Sequence, residues 1–315
     1  MEAKLSRTPL IFLGFLGLAL CQTCPDGWQE VNDDCIYIGT EAWDYDHVVR
    51  SCVQKGGYPA IIGNIFLNNV IQQAFQKAGV SRAYIGLARY NTQWRYANGK
   101  NITYQRWMNG EPRSDQYKGV MEVNSGYWAT DDDFRNLTYA CTQKKVQVTC
   151  DDGWKGFGDS CYKYSDFATY TDENGTHWNL YNFTQAEAQC REMGTHLASI
   201  HSQSEMAFVY ELIKTNLTED FADSMVEDEN GCTHMWAYTG LYHNAIKNYT
   251  VWTDGTPLDF IGQDAIKQYN TASMELLNDF GDCYDIDIDD NPASYVYWEA
   301  ALPLARYVCE KPGGA

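Results

Sequence analysis

Cys150-Asp-Asp-Gly-Trp154, followed by Cys161, repeats Cys24-Pro-Asp-Gly-Trp28, followed by Cys35. Both stretches read Cys-x3-Trp-x6-Cys, and a match of that detail in two places marks an internal duplication. The spacing, with Gly between the cysteines, suits a disulfide that closes a β-hairpin.

The parallel runs on. Cys52 ends an amphipathic stretch from Trp43, and Cys190 ends one from Thr184. Each is followed by Gly (Gly57, Gly194), a short apolar strand and a second helical pattern. In the first copy that pattern is Ile65, Phe66, Val70, Ile71, Ala74 and Phe75, spaced near 3.6. In the second it is Met206, Val209, Tyr210 and Ile213, preceded by Ser202-Gln-Ser-Glu205, which reads as a capping box. Tyr84-Ile-Gly-Leu87 and Tyr238-Thr-Gly-Leu241 read as core strands. Each copy closes from a tryptophan to a last cysteine, Trp128 to Cys141 and Trp298 to Cys309. Trp28 with Trp154, Trp94 with Trp252, and Trp128 with Trp298 occupy repeat positions and read as core. Only Thr142 to Thr149 separates the copies, so they sit close together.

The chain has 315 residues, a net charge of −19, 44% hydrophobic residues and 11 cysteines. So acidic a chain has no electrostatic footprint for nucleic acid. Its apolar content is too high for disorder, and its length suits two domains. Lys4 and Arg7, the apolar run Leu10 to Leu20, and Ala19-Leu20-Cys21 read as a cleaved secretory signal over residues 1–21, the alternative being a short core helix. Removing Cys21 leaves an even ten cysteines. Six Asn-x-Ser/Thr sequons, at Asn101, Asn136, Asn174, Asn182, Asn216 and Asn248, agree with secretion and N-glycosylation. No later run is long enough to span a bilayer, and no hydrophobic tail follows Lys311. The expectation is a secreted, extracellular protein without a membrane anchor.

The order Cys-x3-Trp-x6-Cys, helix and Cys, Gly194-Thr-His-Leu-Ala-Ser-Ile-His-Ser-Gln-Ser-Glu205, a Gly-Leu strand, then Tyr307-Val-Cys-Glu310 resembles the C-type lectin-like domain. The resemblance covers nearly the whole mature chain twice, at 22–146 and 150–312. The layout resembles the secreted two-domain lectins of nematodes. It implies an α+β fold: two tandem domains, each with two helices, small antiparallel sheets and a long ligand-site loop. It also implies the disulfides Cys24–Cys35, Cys52–Cys141, Cys150–Cys161 and Cys190–Cys309. By elimination, Cys232 then pairs with Cys283.

In that family, sugar-binding members hold calcium with Glu-Pro-Asn or Gln-Pro-Asp, a further acid, and Asn-Asp after the closing Trp. Calcium wants six to eight oxygens. The first copy has Trp107-Met-Asn-Gly-Glu111-Pro112-Arg113. Arg113 offers donors only, Lys118 stands near the next carboxylate position, and Ala129-Thr130 follows Trp128. Calcium is therefore not expected, and no cofactor is. Glu111 and Arg113 read either as ordinary loop polar groups or, with Trp107 and Tyr117, as a calcium-independent ligand site. The second copy has no such motif between Gln263 and Asp282. Its Asp285-x-Asp287-x-Asp289 lacks the Gly and Glu of a calcium loop. Alternation with Ile286 and Ile288 suits a strand with one wet face, turned by Asp289-Asp-Asn-Pro292 into Tyr295–Trp298; the alternatives are a divalent-ion site unlike the family's and a face for a cationic partner.

An enzyme is not expected. The six histidines fall in no zinc spacing, the cysteines are committed to bridges, and no nucleophile elbow or phosphate loop occurs. By resemblance, the function is non-catalytic recognition of glycans or extracellular protein ligands, in a setting such as innate defence. The other class is an extracellular interaction or structural protein with no glycan site, and a third reading is a retained calcium lectin.

Overall fold

The computed structural model describes residues 23–314 except 91, 133, 174, 215–236, 245–248, 261–270, 275–294 and 299–302. The N-terminal half runs β1 (Gln29–Val31), β2 (Asp34–Ile38), α1 (Tyr45–Gln54), β3 (Tyr58–Pro59), α2 (Ile65–Lys77), β4 (Arg82–Tyr90), β5 (Gln93–Tyr96), β6 (Lys118–Glu122), β7 (Tyr127–Asp131) and β8 (Thr138–Lys144). The C-terminal half runs β9 (Lys155–Phe157), β10 (Ser160–Tyr164), β11 (Thr169–Asp172), β12 (Gly175–Trp178), α3 (Phe183–Glu192), β13 (His196–Leu197), α4 (Gln203–Lys214), β14 (Ala237–Asn244), β15 (Tyr249–Trp252), β16 (Thr271–Met274), β17 (Tyr295–Trp298) and β18 (Arg306–Pro312).

The helices start where side chains satisfy the open N–H groups of a first turn. Asp44 accepts from His47 N and Asn64 from Leu67 N, both at 2.9 Å. Asn182 and Gln185 form a reciprocal capping box on α3. On α4, Ser202 Oγ accepts from Glu205 N at 3.1 Å. The expected return bond shifts one residue upstream, because the Glu205 carboxylate takes the His201 N–H at 2.6 Å. In α1 the buried residues Tyr45, Val48, Val49, Cys52 and Val53 follow the helical period. In α2 the buried stripe is Leu67, Asn68, Ile71 and Phe75. Ile65 and Phe66, expected in it, lie 44% and 53% exposed.

The two halves share one topology. The first sheet orders β1-β2-β8-β4-β6-β7, with β3 on β8 and β5 on β4. The second orders β9-β10-β18-β14-β16-β17, with β13 on β18 and β15 on β14. In both, the central pair is parallel, β4 with β8 and β14 with β18. The glycines of the two Gly-Leu strands have one cause. A Cβ on Gly86 would stand 2.3 Å from Pro59 O, and one on Gly240 would stand 2.7 Å from Leu197 O. Only glycine lets β3 and β13 lie so close against the central strands.

The register corrects one expectation, the match of Trp298 to Trp128. Met121 pairs with Trp128, and its counterpart Met274 pairs with Tyr295. Trp128 therefore corresponds to Tyr295. Trp298, opposite Thr271, occupies the place of Asp131, opposite Lys118. The antiparallel partner of Tyr295–Trp298 is Thr271–Met274, and the turn expected at 289–292 lies outside the described residues. Among the described residues four disulfides form, Cys24–Cys35, Cys52–Cys141, Cys150–Cys161 and Cys190–Cys309. Residues 1–21, Cys232, Cys283, Asn174, Asn216, Asn248 and the Asp285–Asp290 run lie outside the described residues.

The halves pack on each other through α1 and α4. Tyr90 donates to Gln203 Oε1 at 2.8 Å, and Ser204 N donates to Ala97 O at 3.0 Å. Phe157 stacks on Phe208 at 4.5 Å and meets Tyr58 at 5.0 Å. One apolar cluster runs through both halves, from Val49 and Val53 to Tyr210 and Ile213.

Candidate functional site

The rim at the end of β7 brings Glu111, Arg113 and Tyr117 together. The Glu111 carboxylate oxygen Oε2 accepts from Thr130 N at 3.1 Å, from the Thr130 hydroxyl, and from Arg113 N at 3.2 Å. The Thr130 hydroxyl also lies 2.9 Å from Gln116 Oε1. The Arg113 side chain turns outward to Asp115, at 3.1 Å. Tyr117 is exposed, carries the Arg89 guanidinium over its ring at 4.4 Å, and bonds through its backbone to Asp131 O.

Asp131, the carboxylate nearest Glu111 along β7, is 1% exposed. Arg82 reaches it at 3.3 Å and Arg135 at 3.2 Å. Lys118 projects to Asp46 at 3.9 Å and covers the Tyr45 ring. Each acid of the rim is thus already met by hydroxyl, N–H or cation. A divalent ion would have to displace these contacts and tolerate two nearby guanidinium groups.

Trp107 sits apart from that rim. Its ring packs edge-to-face on Trp94 at 5.3 Å and on Trp128 at 5.7 Å, and it joins the core of the N-terminal half. Trp128 is itself fully buried and donates to Asn68 Oδ1 at 2.8 Å. Of the four residues singled out from sequence, three line the rim, and Trp107 packs on the core beside Trp94 and Trp128.

Sequence reasoning missed a buried carboxyl pair at the junction of the halves. Glu205 lies beside Tyr162, whose hydroxyl donates to it, and beside Glu310, which accepts from Ser199 N at 3.1 Å. Burial first, and then the Glu310 charge, push the Glu205 carboxyl up to about 7; burial also raises Glu310. Tyr58, Asn98 and Lys100 of the other half line the same small cavity of about 190 Å³. Glu310 in the closing Cys-Glu pair was the one signal, but nothing in the sequence joins it to Glu205.

Residues 179–311 match the Lectin C-type domain. This C-type lectin domain holds α3, α4 and β13 to β18 almost entirely. Over 143 residues the chain is 22% identical to Limulus clotting factor C of Carcinoscorpius rotundicauda, covering 41% of this chain and 14% of that protein. Over 233 residues it is 23% identical to C-type lectin domain-containing protein 161 of Caenorhabditis elegans, covering 62% of this chain and 26% of that one. The chain thus spans only 14% and 26% of the length of these two relatives. Human lithostathine is similar in structure at 18% identity and a TM-score of 0.37, covering 38% of this chain and 99% of that one. Among the described residues no helix is long and apolar enough to cross a membrane.

Proposed function

We propose that the chain is a secreted, non-catalytic recognition protein that binds glycans without calcium. The C-type lectin domain at 179–311 carries the glycan reading. In this reading residues 1–21 are a signal peptide, and 22–146 and 150–312 are tandem C-type lectin-like units. The shared strand order of the halves supports the tandem arrangement. Calcium independence rests on Glu111 being closed off by Thr130 and Asp131 by Arg82 and Arg135. Recognition in innate defence fits such a protein. A glycan array read with calcium and again with chelator tests the proposal. Equal signals support it, and signals abolished by chelator refute its calcium clause.

A second reading, an extracellular protein-interaction module, draws on one observation. Phe134 is 90% exposed on the loop after β7, and aromatic residues of this kind anchor protein interfaces. An array silent in both conditions favours it.

A further inference from the structure

Among the described residues the β11–β12 hairpin has no counterpart in the N-terminal half, and its strands pair only with each other. All of β11 is exposed, and the hairpin's link to the core is Trp178 at the end of β12. What it does build is a groove of about 560 Å³ against α3, within the range of small-molecule sites. The hairpin contributes Tyr170, 50% exposed, and Trp178. The floor is Asn179 and Tyr181, held in place where Tyr181 exchanges backbone bonds with Leu304 at 2.7 and 2.9 Å. The far wall is Gln185, whose Oε1 accepts from Asn182 N, and Gln189, one helical turn apart on α3 and flanking its buried stripe of Phe183, Ala186 and Cys190.

Among the described residues no charged side chain lines this groove. That is unusual in its surroundings, since residues 147–315 hold 28 acidic and 8 basic side chains. Aromatic faces match the C–H faces of a pyranose ring, and amides donate to and accept from its hydroxyls. An anion would meet the negative field of this half, and a cation would find no carboxylate in the groove.

We propose that the groove between the β11–β12 hairpin and α3 is a binding site for an uncharged pyranose sugar. It is separate from the rim at Glu111 and rests on the glycan-binding reading above. Direct titration tests it, using full-length protein carrying Thr184→Ala. That change removes the sequon at Asn182 while keeping the helix cap, so the chain's own glycan does not compete. The probes are mannose, galactose and N-acetylglucosamine oligomers and their sialylated counterparts. Tyr170→Ala and Gln189→Ala should each weaken a neutral oligomer about tenfold or more, with thermal midpoints unchanged. Sialylated probes should bind more weakly than neutral ones. Neutral-sugar binding untouched by both variants but lost in Arg113→Ala would overturn the groove and leave the glycan reading standing. Binding of sialylated probes alone would also overturn it. No binding to any probe would overturn both.

Discussion

Thr130 closes off Glu111: its backbone N–H lies 3.1 Å from Glu111 Oε2, and its hydroxyl donates to the same oxygen. Thr130→Val keeps the shape and the N–H but removes the hydroxyl. A hydrogen bond to a charged group contributes about 1.5–3 kcal/mol, so the variant should lose about that much in urea unfolding. An unchanged midpoint would mean that the carboxylate is not held this way.

The Asp131 pair separates a buried charge from an exposed one. Asp131→Ala leaves Arg82 and Arg135 without their shared acid and should cost about 3 kcal/mol. Arg135 is itself mostly exposed, so Arg135→Ala should cost about 1 kcal/mol or less. Equal losses from the two variants, read by the same unfolding curves, would contradict this assignment.

Gly86 and Gly240 should not tolerate even a methyl group. Each added Cβ would fall within 3 Å of a backbone oxygen of the neighbouring strand, and overpacking of this kind costs about 1–3 kcal/mol or more. Gly86→Ala and Gly240→Ala are each expected to lower the thermal midpoint by several degrees. Gly110→Ala is a poor control, since its backbone is left-handed. Gly63, with open space around it, serves instead.

Glu205 makes stability depend on pH. Its folded value, about 7, lies above the ordinary 4.5. A carboxyl that holds its proton more tightly when folded contributes in full below the ordinary value. That contribution is lost as pH rises through 7. Glu205→Gln fits the site, its amide oxygen taking the His201 N–H and its NH2 donating to the Tyr162 hydroxyl. Relative to wild type, the variant should gain on the order of 2 kcal/mol between about pH 4 and about pH 8. Urea midpoints in chelator at both values check this. A difference between the proteins that does not change with pH would contradict it.

Much of the architecture was legible in particular residues. The Cys-x3-Trp-x6-Cys steps, the helices ending at Cys52 and Cys190, and the two Gly-Leu strands all fell where the structure has them. They are set by local chemistry: spacing, caps and close backbone approach. The misses have physical causes. Trp298 was matched to Trp128 because both stand near a closing cysteine. The connection from β16 to β17 is far longer than that from β6 to β7, and periodicity does not measure a loop. The β11–β12 hairpin went unread because β11 is exposed on both faces and shows no alternation, although Asn174-Gly175 is a tight-turn signal. Trp107 was taken for a rim residue because only folding sets it against Trp94 and Trp128. Glu205, Tyr162 and Glu310 meet from three distant segments, which no local pattern records.

The central claim is that glycans are bound without calcium. It is tested most directly by measuring the affinity of one array-positive oligosaccharide in calcium and again in chelator. The account predicts dissociation constants that agree within about twofold. A loss of about tenfold or more on chelation, roughly 1.4 kcal/mol, would contradict it.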